Sequence, residues 1–153
     1  MTSWADFENA APGFAARVRE LFTSHRHHTM ATLRRDGSPR ISGTEVEFAA
    51  GDIRVGMMAG TRRAGDLRRD GRVAIHSHTV DPPPAGGDPG SWCGDAKISG
   101  TAHEVAGADD GGDADRFGVE IGEVVLTRVG TPADHLVIEV WTPGAGLVRI
   151  ERR

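Results

Sequence analysis

The apolar residues of this chain change period several times, and each change marks an element. After Pro12, Phe14, Val18, Leu21 and Phe22 recur at helical spacing, which predicts a helix running to about Ser24. Ser3 or Asp6 is placed to cap a short turn ahead of it, so residues 1–26 read as a helical N-terminal segment. From His28 the period drops toward two. Residues 28–34 and 40–48 flank Asp36-Gly37, a tight-turn pair, and Gly51-Asp52 separates them from residues 53–58. Three extended segments joined by short turns form a meander, which predicts a barrel or sandwich rather than β–α–β units.

The β pattern breaks at residues 60–72. Thr61 suits an N-cap, Ala64 and Leu67 fall on one face, and Gly71 suits a C-terminal stop, predicting a helix of about two and a half turns. Alternation resumes at 72–77 with Val73 and Ile75. Residues 78–94 contain Pro82-Pro83-Pro84 and Gly86-Gly87 and read as a loop long enough to act as a lid over a site. Residues 96–105, 116–129, 135–142 and 147–152 complete the extended segments, with a flexible acidic turn expected at 107–113. With no internal repeat, residues 1–153 read as one mainly β domain with two or three short helices.

Composition removes several function classes. A hydrophobic fraction of 38% with 26% charged residues is ordinary for a globular chain, and no apolar run reaches membrane-span length. The lack of a basic-then-apolar leader and the lone Cys93 favour the cytoplasm. A net charge of −4 argues against a general nucleic-acid binder. Positive charge is nevertheless concentrated: between Thr61 and Arg72, five arginines stand against Asp66 and Asp70.

That cluster lies on a strand–loop–helix unit. A helix start offers unpaired amides and the positive end of the helix dipole. Thr61 adds a hydroxyl, Arg62 and Arg63 add planar forks that match phosphate oxygens, and Gly56 and Gly60 allow close backbone approach. The histidines are weaker signals. Adjacent His27 and His28 cannot share one face, and His25 beside them suits a solvated or interface role. His76 and His78 share a face at spacing two. Cys93 has no adjacent base to activate it. No nucleophile–base pair, carboxylate pair or metal-ligand run is present, a silence that suits redox chemistry carried by a bound cofactor.

Four segments, in order over residues 27–152, resemble the pyridoxamine 5′-phosphate oxidase-like superfamily of FMN-binding split barrels. They are the run from Met30-Ala31-Thr32 through Gly37-Ser38-Pro39, then Thr61-Arg62-Arg63-Ala64 with Arg72-Val73-Ala74, then Asp95 through Ala102, and Ile138-Glu139-Val140-Trp141. The resemblance implies an antiparallel split β-barrel of six to eight strands that homodimerises around its cofactor. It further implies a flavin- or deazaflavin-dependent oxidoreductase passing hydride to or from a small substrate, with FMN first and the deazaflavin coenzyme F420 second. Thr61, Arg62 and Arg63 would hold the phosphate. Ser42, Gly43, Thr44, Glu45 and Glu47 would line the ring, largely through backbone. Gly56 and Met57 would lie beside the ring or ribityl chain, Asp95 would take the place of a cofactor-binding glutamine, and Trp141 would pack near the ring. No side chain is expected to be catalytic and no metal is expected. Glu47 stands where the true oxidase has lysine, and the substrate-gripping Arg-x-x-x-Ser and Arg-x-His patterns are missing, so pyridoxamine phosphate oxidation is not implied. A non-catalytic cofactor carrier and a haem-binding relative using a histidine such as His76 are the alternatives.

Overall fold

The computed structural model describes residues 1–106 and 113–153; the expected acidic turn, Asp113 apart, lies outside the described residues. Three helices accompany eight strands: α1 (Trp4–Ala10), α2 (Pro12–Thr23), β1 (His28–Leu33), β2 (Pro39–Ala49), β3 (Asp52–Met58), α3 (Arg62–Arg69), β4 (Arg72–His76), β5 (Asp95–Glu104), β6 (Ala114–Val129), β7 (Leu136–Thr142) and β8 (Gly146–Arg152). The strands form one sheet in the order β3-β2-β1-β4-β5-β6-β7-β8. An additional β3–β6 pairing closes the first six into an antiparallel barrel, leaving β7 and β8 as an extension. The mainly β class, the strand count and the helices agree with the sequence pattern.

Local chemistry accounts for the element boundaries. The Ser3 hydroxyl accepts from the Asp6 amide at 3.1 Å and starts α1, and Pro12 sits at the first position of α2. Strand alternation decides inside from outside. In β3, Ile53, Val55 and Met57 point into the barrel, whereas Arg54, Gly56 and Met58 point out. Trp4 and Phe7 of α1 are buried against Phe48 and Trp141, with ring centroids 4.6 and 4.7 Å apart, so the N-terminal helices complete one continuous core. The β5–β6 register shifts between Ser99 and Gly100, and a Cβ on Gly100 would run into the backbone carbonyl of Glu120, so this bulge requires glycine. Gly71 follows the C-cap Asp70 of α3, as the sequence predicts, but not in the left-handed conformation. It is glycine because a Cβ there would meet the Ala102 carbonyl oxygen.

Two buried carboxylates fasten helices to the barrel. Glu139 of β7 receives both terminal nitrogens of Arg17 at 2.7 and 3.0 Å and Arg128 Nε at 3.3 Å, which holds α2 in place. The Arg17 bonds hold its carboxyl below the ordinary range in spite of burial. Asp66 of α3, 2% exposed, receives the Thr32 hydroxyl at 2.8 Å, Arg40 Nε at 2.7 Å and Arg69 at 2.9 Å. Burial alone would raise its pKa. The bonds from Arg40, Thr32 and Arg69 together outweigh the cost of burial and keep it ionised. Arg69 also donates to the Leu33 carbonyl at 2.9 Å, so one helix face is tied to both strands of the β1–β2 hairpin. Removing the carboxylate strands two cations and a buried hydroxyl, and Asp66→Ala is expected to lose roughly 2–4 kcal/mol. Urea unfolding followed by far-UV circular dichroism measures this; an unchanged midpoint contradicts the anchoring role.

Candidate functional site

Helix α3 starts beside β2, within reach of the Gly43 carbonyl. Thr61 caps it, its hydroxyl accepting from the Ala64 amide at 3.3 Å, and the Gly60 amide before it donates to Asp115 at 3.2 Å. Helix starts leave further amides unpaired, so this end attracts anions.

The structure resolves which of the clustered arginines are neutralised. Arg68 pairs with Glu104 and with Asp115 at 2.7 Å, and both carboxylates raise its pKa. Arg69 pairs with Asp66, and Arg72 pairs with Asp70, pushing that carboxyl down to about 2. Among the described residues, neither Arg62 nor Arg63 has a carboxylate partner. Arg62 is exposed, and Arg63 donates to the Gly43 carbonyl at 2.6 Å while its Nε is buried without a partner. Two unneutralised guanidiniums therefore stand at the N-terminus of α3, whose dipole also favours an anion.

The neighbouring ledge is built from the outward residues of β2 and β3. Glu45 opposes Gly56 and Glu47 opposes Arg54. With Arg116 and Ala114, these line a cavity of about 380 Å³. A Cβ at Gly43 or Gly56 would project into open space, so the two glycines leave room on the ledge that a side chain would fill. Of the expected site residues, Arg63 reaches the Gly43 carbonyl, and Glu45, Glu47 and Gly56 line the cavity on the same two strands.

Other expected residues lie elsewhere. Ser42 and Thr44 alternate inward, Thr44 being buried, so only their backbone can face the ledge. Met57 points into the core; the outward methionine is Met58, 76% exposed. Trp141 is buried against Phe7 and presents no open ring face, because β7 turns it under α1. Asp95 opens β5, three strands from β2 and thus roughly 14 Å away across the wall. It faces His76, whose Nε2 is 3.6 Å from Asp95 Oδ2, while Asp95 Oδ1 is buried and unpaired. The 78–94 loop does not line the ledge cavity; it lies against α2 and β6.

Sequence reasoning missed what His28 does. Its Nε2 lies 2.8 Å from the Phe22 carbonyl and its Nδ1 accepts the His78 amide at 2.9 Å, so the neutral ring joins the end of α2 to the root of the loop. The His25 and His78 rings stack beside it, with centroids 4.0 Å apart. No cluster of metal-ligating side chains occurs among the described residues. Burial lowers the His28 pKa from its ordinary 6.5, and the neighbouring His78 and His25 lower it further, against opposing backbone bonds. The unfolded chain therefore takes up the proton first as pH falls through about 6.5; stability is full above that value and declines below it. Denaturant melts between pH 7.5 and 5 should show this decline. His28→Asn, which keeps an acceptor near Nδ1 and does not titrate, should be less stable at neutral pH yet flat across the window; an unaltered slope removes His28 as the cause.

No protein-family model matches the chain, and no curated protein sequence matches it. Solved structures do. A pyridoxamine 5′-phosphate oxidase-related, FMN-binding protein from Nostoc punctiforme matches with a TM-score of 0.62 at 8% identity, over 99% of this chain and 100% of its own. A heme-binding protein from Mycobacterium smegmatis matches with a TM-score of 0.53 at 15% identity, over 89% and 86% of the two chains. These likenesses show the fold alone: the six-stranded closed barrel with its helices is shared with both proteins. No helix among the described residues is long and apolar enough to cross a membrane.

Proposed function

We propose that the chain is a flavin-dependent oxidoreductase that binds FMN on the outer wall of its barrel, with the phosphate held at the start of α3. The observation that carries this reading is that Arg62 and Arg63 alone among the cluster's arginines are left without carboxylate partners, at a capped helix start beside a glycine-lined ledge. The orphaned Arg63 Nε is a donor that a phosphate or ribityl oxygen would satisfy. In the cavity beyond, Glu45 and Glu47 stand against Arg54 and Arg116, so that stretch suits the polar, uncharged ribityl chain and ring edge better than a second phosphate.

When bound, the flavin supplies hydride chemistry, and the substrate is a small molecule. The chain's own residues bind and orient: Arg62 and Arg63 hold the dianion, Arg63 also fixes the β2 backbone at Gly43, and Gly43 and Gly56 let a planar ring lie close to the wall. The deazaflavin coenzyme, which also carries phosphate, is the second cofactor reading.

The proposal includes a homodimer. Facing rows on the outer side of β6, β7 and β8 are aliphatic: Val125 opposes Val140, which opposes Val148, and Ile138 opposes Ile150. Val148 is 48% exposed and Ile150 42% exposed. Small side chains such as Ala31, Ala74 and Ser99 continue this wall, and a second copy would cover it.

FMN added to the cofactor-free protein is expected to quench on binding and to shift its visible spectrum. Arg62→Gln with Arg63→Gln should weaken binding at least tenfold while leaving the far-UV spectrum intact, since each lost charged bond is worth about 1.5–3 kcal/mol. A chain that binds neither FMN nor the deazaflavin overturns the reading, and a Soret band in purified protein promotes haem. Turnover of reduced cofactor with acceptors separates an enzyme from a carrier.

A further inference from the structure

A second cavity, of about 450 Å³, lies between α2, the 78–94 loop and β6, and the ledge chemistry does not use it. We infer that it binds a small planar carboxylate, an aromatic acid of one or two rings, whether or not a cofactor is present.

The walls are preformed. Trp92 Nε1 donates to the Val80 carbonyl at 2.8 Å, and the Asp88 carboxylate caps the short 3₁₀ turn Pro89–Ser91, so the proline-rich loop is folded on itself. Through the His78 amide on His28, the loop's root is tied to the strand beneath. Val80 and Cys93 of the loop thus face Leu21 of α2 and Leu126 of β6. The apolar lining favours a ligand with an apolar body.

Planarity and charge narrow the ligand. The His25 and His78 rings are stacked 12° from parallel and both line the cavity, which offers a flat π surface. Arg17 spends both terminal nitrogens on Glu139, whereas Arg128 spends only Nε, so among the described residues the terminal nitrogens of Arg128 have no hydrogen-bond partner. Two guanidiniums against one buried carboxylate leave an excess positive charge beside the apolar wall. Glu20 also lines the cavity, but it is exposed and screened by water, while the Arg128 side chain is only 28% exposed. A carboxylate on a flat apolar body answers all three features.

The lone thiol reports on this site. Cys93 is exposed, lines the cavity and is the only cysteine, so its alkylation by N-ethylmaleimide reads occupancy there and nowhere else. With the full chain, free of cofactor, 2-naphthoate is expected to slow alkylation saturably. The neutral 2-naphthamide should need at least tenfold more. Arg128→Gln should raise the half-protecting concentration at least tenfold. Because Arg128 also touches Glu139, His78→Ala serves as the second variant. It removes the stacked ring, keeps the backbone amide on His28, and should weaken protection several-fold. Calorimetry should give one naphthoate site per chain. Absence of saturable protection at millimolar naphthoate, equal protection by the amide, or indifference to both substitutions overturns the inference. None of these outcomes bears on FMN titration at Arg62 and Arg63, so the two readings fail separately.

Discussion

The buried carboxylate of Asp66 is the constraint on which the rest of the candidate site depends. Helix α3 is short and contributes only Ala64 and Leu67 to the apolar core, too little burial to fix its direction on the barrel. The carboxylate supplies that direction by gathering a hydroxyl from β1, a guanidinium from β2 and one from its own last turn. A buried charge of this kind is tolerated only when its partners are complete, so the helix has one seat rather than several. Once seated, the helix lets Arg63 reach the β2 backbone at Gly43.

The same economy decides the local field. Five arginines within twelve residues look in sequence like a diffuse basic patch. In three dimensions Asp66, Asp70, Asp115 and Glu104 neutralise the back of the helix and leave the front. The charge becomes directional because its neutralisation is one-sided. Glu45 and Glu47 then mark where the favourable zone for an anion ends, opposite Gly56 and Arg54 on the paired strands. A ligand with one anionic end and a polar, uncharged body matches that gradient better than one charged throughout.

What could be read from the sequence was mostly local. Thr61, Pro12, the Asp36-Gly37 turn and the alternation of β3 act within a few residues, so their elements stand close to where the pattern places them. The β-barrel class was legible for the same reason, since short turns force neighbouring strands to pair antiparallel. Side-chain direction at long range was not. Trp141 and Met57 were expected beside a cofactor, and both face the core. Strand parity fixes Met57 inside, and α1 folds back to cover Trp141, a contact between residues 134 positions apart that no local pattern announces. His28 was equally hidden: its neighbours suggest a solvated cluster, yet a carbonyl from α2 and an amide from the loop enclose it.

That enclosure also separates the two cavities chemically. At the ledge, charge is presented from a helix start to open solvent, and the strand residues of the neighbouring cavity set Glu45 and Glu47 against Arg54 and Arg116 around Gly56. Under the loop, charge is half-buried behind a shared carboxylate and framed by aliphatic side chains and imidazole faces. The first arrangement attracts a multiply charged group and tolerates water around it. The second selects for a ligand that gives up water over most of its surface and keeps a single charge. A barrel of this size has room for both because its helices and its long loop cover different stretches of wall.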